Sequence, residues 1–352
     1  MTTETLVAGV LGLGKNGQLL LEAAHASGHF RIIAVADPDH QRAEKIAAEF
    51  KCDAYTDYRQ LVVQNQVDCL LVAADIHTCD EHLRTAIKKK FNILKLAPAA
   101  RNFEETLGYV QLAESEKVQF AIANPARFMP SHTKARELIA QGHVKQVHLV
   151  TAQCSINDTD RSPWHTDPKL AGGGVLLHDG YQIIDQILGS FPLPQQVYAL
   201  TTNQAPDKQQ RLYLTEDAAV VSLKFTDALT GSIIATRRPD AGHDATCLRI
   251  HGKDTLLTVT DSEVTLCTHA EADDQKWQFD ETEHEVMKRL LSSFAGSLQS
   301  PDEHELVSSA AENLKNMAVL ESAYLSARTG FPEEPARILQ MSGASSGAAT
   351  SV

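Results

Sequence analysis

The stretch from residue 5 to residue 39 constrains the fold of this chain more than any other. It reads TLVAGVLGLGKNGQLLLEAAHASGHFRIIAVADPD. An apolar run over 6–11 is followed by a glycine-rich turn, a helical pattern and a second apolar run over 31–36 that ends at Asp37. Short apolar runs bounded by turn residues are typical of buried strands. The stretch therefore predicts a strand–turn–helix–strand unit that ends in an acidic residue.

The turn is a G-x-G-x-x-G motif, and each glycine in such a motif has a physical role. The first permits the tight turn, the second lets a pyrophosphate approach the backbone, and the third lets the helix pack close to the strand. The helix then directs its unpaired N–H groups and its positive dipole end at the phosphate. Asp37 stands where a carboxylate accepts hydrogen bonds from an adenosine ribose. The motif predicts a dinucleotide site made of Gly12, Leu13, Gly14, Lys15, Asn16, Gly17 and Asp37.

Asp37 also bears on the choice of dinucleotide. A carboxylate repels the 2′-phosphate of NADP, and NADP sites usually supply Arg or Lys just after this strand. Here the next residues are Pro38, Asp39 and His40, and Arg42 is the first cation. NAD is favoured, and His40 and Arg42 leave NADP as the alternative.

Composition narrows the class of partner. The chain has 352 residues, enough for two domains, and a net charge of −13. Nucleic acids and anionic membranes attract basic surfaces, so neither is expected as a partner. Six scattered cysteines, no recognisable signal peptide and no apolar run of 18 residues predict a cytoplasmic protein without a transmembrane helix.

Strand and helix patterns alternate up to about residue 125. This alternation predicts an α/β fold whose first domain, 1–125, is a doubly wound parallel sheet of the Rossmann type. From 126 to 335, runs with period-two alternation predict an α+β domain with a large, mostly antiparallel sheet. One helix is predicted over 175–188 and others over 281–298 and 303–328. Residues 336–352 are expected to form a disordered tail.

An antiparallel sheet of this size leaves one face in water unless something covers it. We therefore expect a homo-oligomer built on the second domain, with a covering helix layer as the alternative.

Several segments together resemble the Gfo/Idh/MocA family, the glucose–fructose oxidoreductase and inositol dehydrogenase type, over about residues 5–335. The resemblance implies a Rossmann domain, an α/β domain whose open sheet usually makes dimers or tetramers, a nicotinamide cofactor and a small sugar, polyol or similar hydroxylated substrate. The segments that carry it are the glycine turn, VADPD at 35–39, RFMP at 127–130, WHTD at 164–167 leading into Gly172–Gly174, and ESAYLSA at 321–327 before Thr329-Gly330.

The family usually carries Glu-Lys-Pro after the strand that matches residues 91–95, and its lysine polarises or deprotonates the reacting hydroxyl. Here the Glu position is Leu96, the Lys position is Ala97, and Pro98 is retained as a candidate cofactor contact. Lys95 lies two residues earlier, and strand alternation lets it point the same way as Ala97. Lys95 is therefore a candidate catalytic residue, with an ordinary strand-end lysine as the alternative.

The family's second catalytic element is usually Gly-Gly-Gly, then Asp, then His four residues later. In this chain His178 stands at the Asp position, Gln182 at the His position, and Asp185 matches the following Asp. A glutamine does not exchange protons near neutral pH, whereas an imidazole with an ordinary pKa of about 6.5 does. His178 is the candidate acid/base, with a structural histidine as the alternative. We expect His178, Gln182 and Asp185 to share one helix face.

Further candidates come from the sheet edge and from the segment before the three glycines. Ala74, Asp75 and His77 end or follow the fourth strand, at the edge where open sheets bind ligands. No Cys/His spacing predicts a metal site. The candidate substrate residues are Arg127, Trp164, His165, Asp179, Tyr181 and Asp185.

These residues favour an NAD(H)-dependent oxidoreductase that acts on a carbohydrate-like or cyclic polyol substrate, with His178 moving the proton. The altered Lys, Asp and His positions leave two alternatives. One is a catalytically degenerate member that binds a dinucleotide or a sugar-like ligand as a sensor or inactive partner. The other is a variant that carries out NAD-assisted elimination or hydrolysis.

Overall fold

Two sheets form the centres of two separate units in the computed structural model of this chain. The structure describes residues 5–157, 162–203, 214–237, 245–269, 274–341 and 343. Among these, the first unit comprises 5–100, 104–128 and 282–313. The second comprises the described parts of 101–103, 129–281 and 314–343.

The sheet of the first unit has six strands. They are β1 (Leu6–Leu11), β2 (Phe30–Ala36), β3 (Asp53–Tyr55), β4 (Cys69–Val72), β5 (Asn92–Leu96) and β6 (Phe120–Ala123). All pair in parallel in the order β3-β2-β1-β4-β5-β6, so the strand order reverses between β1 and β4. Strands β4 and β6 are buried along their whole length, because helices cover both faces of such a sheet.

The helices that cover this sheet include one from far along the chain. They are α1 (Lys15–Ser27), α2 (His40–Phe50), α3 (Tyr58–Gln64), α4 (Asp80–Lys88), α5 (Phe103–Glu116) and α10 (Glu283–Gln299). Leu290 and Phe294 of α10 share a buried apolar cluster with Leu20 and Leu21 of α1. The sequence prediction assigned these α10 residues to the second domain, whereas the structure groups them with the first unit, because the apolar face of α10 packs on α1.

The second unit is built on a sheet of eight strands. They are β7 (Leu149–Ile156), β8 (Gln196–Thr202), β9 (Ala218–Lys224), β10 (Thr230–Arg237), β11 (Ala245–His251), β12 (Thr255–Thr260), β13 (Glu263–Thr268) and β14 (Gln275–Gln278). Their order is β14-β13-β12-β11-β7-β10-β9-β8, and only the β7–β10 pairing is parallel. The predicted fold class, a Rossmann sheet followed by a large, mostly antiparallel sheet, is confirmed.

One face of this second sheet carries helices. The remaining helices are α6 (Pro130–Ala140), α7 (Pro168–Ala171), α8 (Val175–His178), α9 (Tyr181–Ser190), α11 (Ala310–Thr329) and α12 (Pro335–Met341). Helix α6 packs on β12 and β13, and α8 packs on β9 and β10. On the opposite face Leu200, Val220 and Ile234 are 59%, 46% and 42% exposed. They are direct neighbours across β8, β9 and β10, so they form one apolar row.

Several predicted boundaries in the second half are wrong. The stretch 175–188 forms two helices, since the Gly180 amide donates to the Val175 carbonyl five residues back and ends the regular helical pattern. The helix predicted from 303 begins at Ala310. Helix α12 occupies the start of the predicted tail, 336–341, and residues 342 and 344–352 of that tail lie outside the described part.

The structure also bears on the membrane and on the thiols. In the part of the chain that it describes, no helix is long and apolar enough to cross a bilayer. All six cysteines lie in that part, and none of them forms a disulfide.

Candidate functional site

Of the three motif glycines after β1, two are packed against other backbone atoms and one faces open space. Gly12 has φ +83°, and a Cβ there would lie 2.5 Å from the Ala74 amide nitrogen. A Cβ on Gly17 would lie 2.0 Å from the Gly12 carbonyl oxygen. Around Gly14, by contrast, a Cβ would meet no atom within 4 Å. The backbone at Gly14 therefore faces open space, which is the room that a pyrophosphate needs.

Helix α1 presents its amino end at this open position. Gly14 occupies the N-cap and has no side chain to bond the first N–H groups. Gly14, Lys15 and Asn16 are exposed, whereas Leu13 is buried and accepts a hydrogen bond of 2.9 Å from Gln18 Nε2. An uncapped N-terminus of a 13-residue helix is suited to bind phosphate. These residues fit the pyrophosphate of a dinucleotide.

Asp37 lies at the end of β2 and is only 4% exposed. Its Oδ2 accepts from the Leu13 amide at 2.7 Å and from Arg42 Nη1 at 3.3 Å, and its Oδ1 accepts from the Asp39 amide at 2.9 Å. Arg42 also bonds Asp39 Oδ2 at 3.1 Å. Hydrogen bonds from Arg42, first from its amide, hold the pKa of Asp39 below its ordinary value. The carboxylate predicted for the ribose is thus fixed to the glycine turn and carries a guanidinium beside it.

The candidate residues after β4 lie at the carboxyl edge of the parallel sheet. The backbone of Ala74 packs against Gly12, as the close approach at that glycine shows. Asp75 is exposed, and its carbonyl accepts from the amide and hydroxyl of Thr78 at 2.9 and 2.8 Å. His77 is half-buried in the same loop. This edge adjoins the reversal of strand order between β1 and β4, where ligands bind in open sheets.

Lys95 lies on β5 and is only 3% exposed. Its Nζ donates to the carbonyl oxygens of Leu96 at 3.1 Å and Pro98 at 2.7 Å. Burial lowers the pKa of this amine, while Cys79 and Glu105 act in the opposite direction. The ammonium end is therefore turned toward the backbone of its own segment. The Ala97–Pro98 peptide bond is cis, and Pro98 is buried.

In the second unit, the three glycines before α8 are held against three partners. A Cβ on Gly172, which has φ +79°, would lie 2.2 Å from the Arg101 carbonyl oxygen. On Gly173 it would lie 2.1 Å from the Tyr324 hydroxyl, and on Gly174 it would lie 2.0 Å from the Glu216 carbonyl oxygen. The glycines therefore allow close packing against Arg101, Tyr324 and Glu216, none of which was predicted as a site residue.

Glu216 is buried, at 8% exposure, two residues before the start of β9. Its carboxylate accepts hydrogen bonds from the amides of Gly174 at 2.7 Å and Leu176 at 3.0 Å and from the Tyr324 hydroxyl at 2.8 Å. Burial raises the pKa of this carboxyl group, and the same hydrogen bonds act against that rise. Nothing in the sequence indicates this burial, because an acidic pair such as Glu216-Asp217 before a strand is typical of a solvated loop.

His178, the candidate acid/base, ends α8 in an aromatic cluster. Trp164 and His165 stack with ring centroids 3.6 Å apart, and both meet the His178 ring edge-on at 5.8 and 5.4 Å. His178 Nε2 lies 3.1 Å from the Ala171 carbonyl oxygen, which only accepts hydrogen bonds. In the neutral ring Nε2 therefore carries the proton, and Nδ1 is the basic nitrogen. The structure thus brings together three of the predicted site residues.

The helix break separates His178 from its predicted neighbours. His178 ends α8 and Asp179 is its C-cap, whereas Gln182 and Asp185 belong to α9, so the expected single helix face is wrong. Asp185 is 1% exposed and accepts from Asn316 Nδ2 at 2.8 Å, and Tyr181 is fully buried. These placements are typical of residues that hold the fold.

Arg127 belongs to the first unit. It lies in a short 3-10 turn after β6, and its Nη1 pairs with Glu312 Oε2 at 3.0 Å. Its predicted contact with a substrate stays a prediction.

A further buried histidine lies in α6 and was not predicted. His132 is 4% exposed. Burial, first, and the neighbouring Arg136 lower its pKa to about 4, while Asp185 acts in the opposite direction. Arg136 itself donates to Gln186 Oε1 at 3.0 Å. The interior beside α9 is thus polar and includes a histidine held in its neutral form.

Two family models match the chain. One describes an oxidoreductase family with an NAD-binding Rossmann fold and matches residues 6–124. The other describes the GFO/IDH/MocA C-terminal domain and matches residues 132–258. Together they span more than half of the sequence; the first covers the six-stranded sheet, and the second covers the eight-stranded sheet as far as β12.

Individual relatives are distant. The chain is 23% identical over 247 residues to the uncharacterized oxidoreductase YrbE of Bacillus subtilis, covering 69% of this chain and 70% of that protein. It is 23% identical over 250 residues to inositol 2-dehydrogenase of Rhizobium meliloti, covering 70% and 73%. For several other curated relatives, the matched stretch spans only 50–61% of their length.

Among solved structures, the fold is similar to that of an inositol dehydrogenase homolog from Azotobacter vinelandii complexed with NAD+. The TM-score is 0.85 at 16% identity, and the match covers 94% of this chain and 97% of that one. At this identity the similarity concerns the fold.

Proposed function

Because the chain belongs to the Gfo/Idh/MocA oxidoreductase family, whose first domain is an NAD-binding Rossmann domain, we propose that it is an NAD(H)-dependent oxidoreductase acting on a carbohydrate-like or cyclic polyol substrate. The observation that carries the proposal is the His178 imidazole. Its Nε2 is held at the Ala171 carbonyl, and its Nδ1 is the basic nitrogen in the aromatic cluster. Such a group moves the one proton that accompanies oxidation of a hydroxyl.

The bound nicotinamide supplies the hydride chemistry, and the residues of this chain orient it and move the proton. Gly14 leaves room for the pyrophosphate, α1 directs its amino end there, and Asp37 holds the ribose. In the proposal His178 Nδ1 takes the proton from the substrate hydroxyl. Ala97 and Gln182, at the family's Lys and His positions, have no group that exchanges a proton near neutral pH.

The proposed substrate class rests on the cluster of Trp164, His165 and His178. A stacked aromatic pair offers an apolar face to the C–H groups of a sugar ring, and imidazole nitrogens beside it bond hydroxyl groups. His165 Nδ1 lies 3.2 Å from the Ser162 carbonyl oxygen, which only accepts hydrogen bonds, so in the neutral ring Nδ1 is the donor. The relative named inositol 2-dehydrogenase is in keeping with a cyclic polyol.

The first experiment is a fluorescence titration with NADH and NADPH. Gly14→Val fills the open space at the turn and should abolish binding, because its side chain occupies the position of the pyrophosphate. Gly189→Val is the matched control, since a Cβ at Gly189 in α9 also meets nothing within 4 Å. Equal NADH affinity in the wild type and in Gly14→Val would refute the dinucleotide site.

The second experiment is a screen of polyols and sugars with NAD+, followed by absorbance at 340 nm. For any substrate that turns over, His178→Ala should lower kcat by about 100-fold or more and leave NADH affinity unchanged. An unchanged kcat would remove His178 from the mechanism.

A catalytically degenerate binding protein is the second candidate. It is favoured by the changed residues at the family's three ionisable positions, Ala97, His178 and Gln182. Such a protein binds NADH but oxidises none of the screened compounds, and a sugar-like ligand shifts its melting temperature equally with and without NADH. The absence of turnover and the equal shift in melting temperature would distinguish this binding protein from the enzyme.

We also propose a homo-oligomer, a dimer or a tetramer, in the cytoplasm. The exposed row of Leu200, Val220 and Ile234 supports an interface between copies on the open sheet face, because apolar rows of this kind are seldom left in water. The six cysteines without a disulfide are in keeping with a reducing compartment.

A further inference from the structure

Three consecutive amides at the start of α8 donate hydrogen bonds to one residue, Glu216. The Gly174 and Leu176 amides donate to the two carboxylate oxygens of Glu216 at 2.7 and 3.0 Å, and the Val175 amide donates to the Glu216 backbone carbonyl at 3.2 Å. The first N–H groups of a helix have no partner within the helix. Since Gly174 at the N-cap has no side chain, the cap has to come from elsewhere in the chain.

The opposite end of the same turn carries the candidate acid/base. Helix α8 has only four residues, and His178 is the last of them. The His178 amide donates to the Gly174 carbonyl at 3.0 Å, and its ring is tied to the Ala171 carbonyl at 3.1 Å. A four-residue helix has almost no stability of its own. Its position, and with it the position of the imidazole, therefore depends on its external contacts.

We propose that Glu216 is a positioning residue that fixes the α8 turn and thereby the His178 imidazole. Tyr324 supports it, because its hydroxyl donates to Glu216 Oε1 at 2.8 Å. The absence of side chains at Gly173 and Gly174 brings Tyr324 and Glu216 into contact with the turn. The inference rests on the proposed function in one respect, the role of His178 as the base, so its test includes a measurement that does not need turnover.

The test variant is Glu216→Gln. A glutamine amide has one oxygen and one NH2 group, so one of the two carboxylate positions turns a donor toward a backbone N–H that also donates. We expect kcat to fall by about 10- to 100-fold, as for a misplaced catalytic group, with the NADH affinity of the first unit unchanged. Glu216→Asp retains both acceptor oxygens one methylene shorter, and we expect it to recover part of the loss.

The matched control is Glu285→Gln. Glu285 also caps a helix, by accepting from the Thr282 amide at 2.9 Å, but it does so at α10 in the first unit. Rates are to be compared at one temperature, at which circular dichroism has first to show that each variant is folded. A cap that served stability alone would lower the melting temperature in both Gln variants and leave kcat unchanged in both.

The measurement that needs no turnover is the imidazole 15N spectrum of histidine-labelled protein, with His178 assigned by its loss in His178→Ala. In the wild type, we expect the shifts of the Nε2–H tautomer. In Glu216→Gln, we expect those of the tautomer mixture of a solvated imidazole, and in Glu285→Gln no change. If Glu216→Gln does not fold, Tyr324→Phe removes one donor from Glu216 and should move the His178 signals in the same direction.

Unchanged His178 signals in Glu216→Gln, or in Tyr324→Phe where that variant replaces it, would overturn the inference. If these signals move while His178→Ala retains full turnover, the positioning role stands and the proposed base is wrong. The two failures are therefore distinguishable.

Discussion

His132 should make the second unit lose stability as the pH falls through a defined range. It is 4% exposed in α6, and burial together with Arg136 lowers its pKa from 6.5 to about 4 in the folded chain. The charged groups that face it are Arg136 on its own helix and Asp185 on α9. The perturbation that isolates it is His132→Gln, which removes the titrating group and retains a polar side chain.

The size and direction of the effect follow from the two pKa values. Below pH 6.5 the unfolded chain binds a proton at His132, whereas the folded chain does so only near pH 4. Acid therefore favours the unfolded state over this range, and the stability is lost as the pH falls from 6.5 to 4. The full difference corresponds to about 3 kcal/mol, of which about 2 kcal/mol lies between pH 7 and pH 4.5.

The assay is urea unfolding at pH 7 and pH 4.5, followed by tryptophan fluorescence. Both tryptophans, Trp164 and Trp277, lie in the second unit with His132, so the signal reports that unit. Between the two pH values, the wild type should lose about 2 kcal/mol more stability than His132→Gln does. His304→Gln, at an exposed histidine, is the control and should behave as the wild type. Parallel losses in wild type and His132→Gln would refute the reasoning.

Three further predictions test other parts of the molecule. Asp37→Ala should weaken NADH binding by about tenfold in a fluorescence titration. The variant loses a charge-assisted hydrogen bond to the ribose together with the hydrogen bond from the Leu13 amide. An unchanged affinity would place the ribose elsewhere. Arg42→Ala should weaken any NADPH binding and spare NADH, and the reverse result would contradict the position assigned to the 2′-phosphate. Leu200→Glu should shift the protein to a smaller species in light scattering. The control Val63→Glu, at a similarly exposed apolar residue in α3, should leave the size of the species unchanged.

The first unit was predictable because the residues that determine its fold lie close to one another in the sequence. A strand covered by helices on both faces must be apolar throughout, and β1 was predicted to its end residues for this reason. The glycine turn and Asp37 are spaced by the geometry of one strand–helix–strand unit. The hydrogen bond between the Leu13 amide and Asp37 joins residues only 24 positions apart. Local patterning was therefore enough to predict the fold of this unit and to single out its candidate cofactor residues.

The second unit was less predictable because its determinants are distant in sequence. Glu216 bonds Gly174 across 42 residues, and Tyr324 reaches Glu216 across 108. Nothing near position 175 indicates such a cap, and nothing in the apolar pattern of 175–188 marks the break at Gly180. The alternation of side chains along β5 predicted which way Lys95 points, but it did not predict that Lys95 is buried. The bonds from its Nζ to two backbone carbonyls became visible only in the structure.

The capped turn bears on the proposed role of His178, which the family resemblance aligns with an Asp position. The bonds from Glu216 to α8 go to backbone N–H groups, and Tyr324 contacts Glu216 and the glycines, so none of them involves the side chain at position 178. A change at position 178 should therefore alter the proposed proton-exchanging group without altering the backbone bonds that hold the turn. His178→Asp should fold with the same α8 turn, because an aspartate places no added bulk on the backbone bonds that define it. In the proposed mechanism, the side chain at position 178 would thus set the proton chemistry, and Glu216 would set its location.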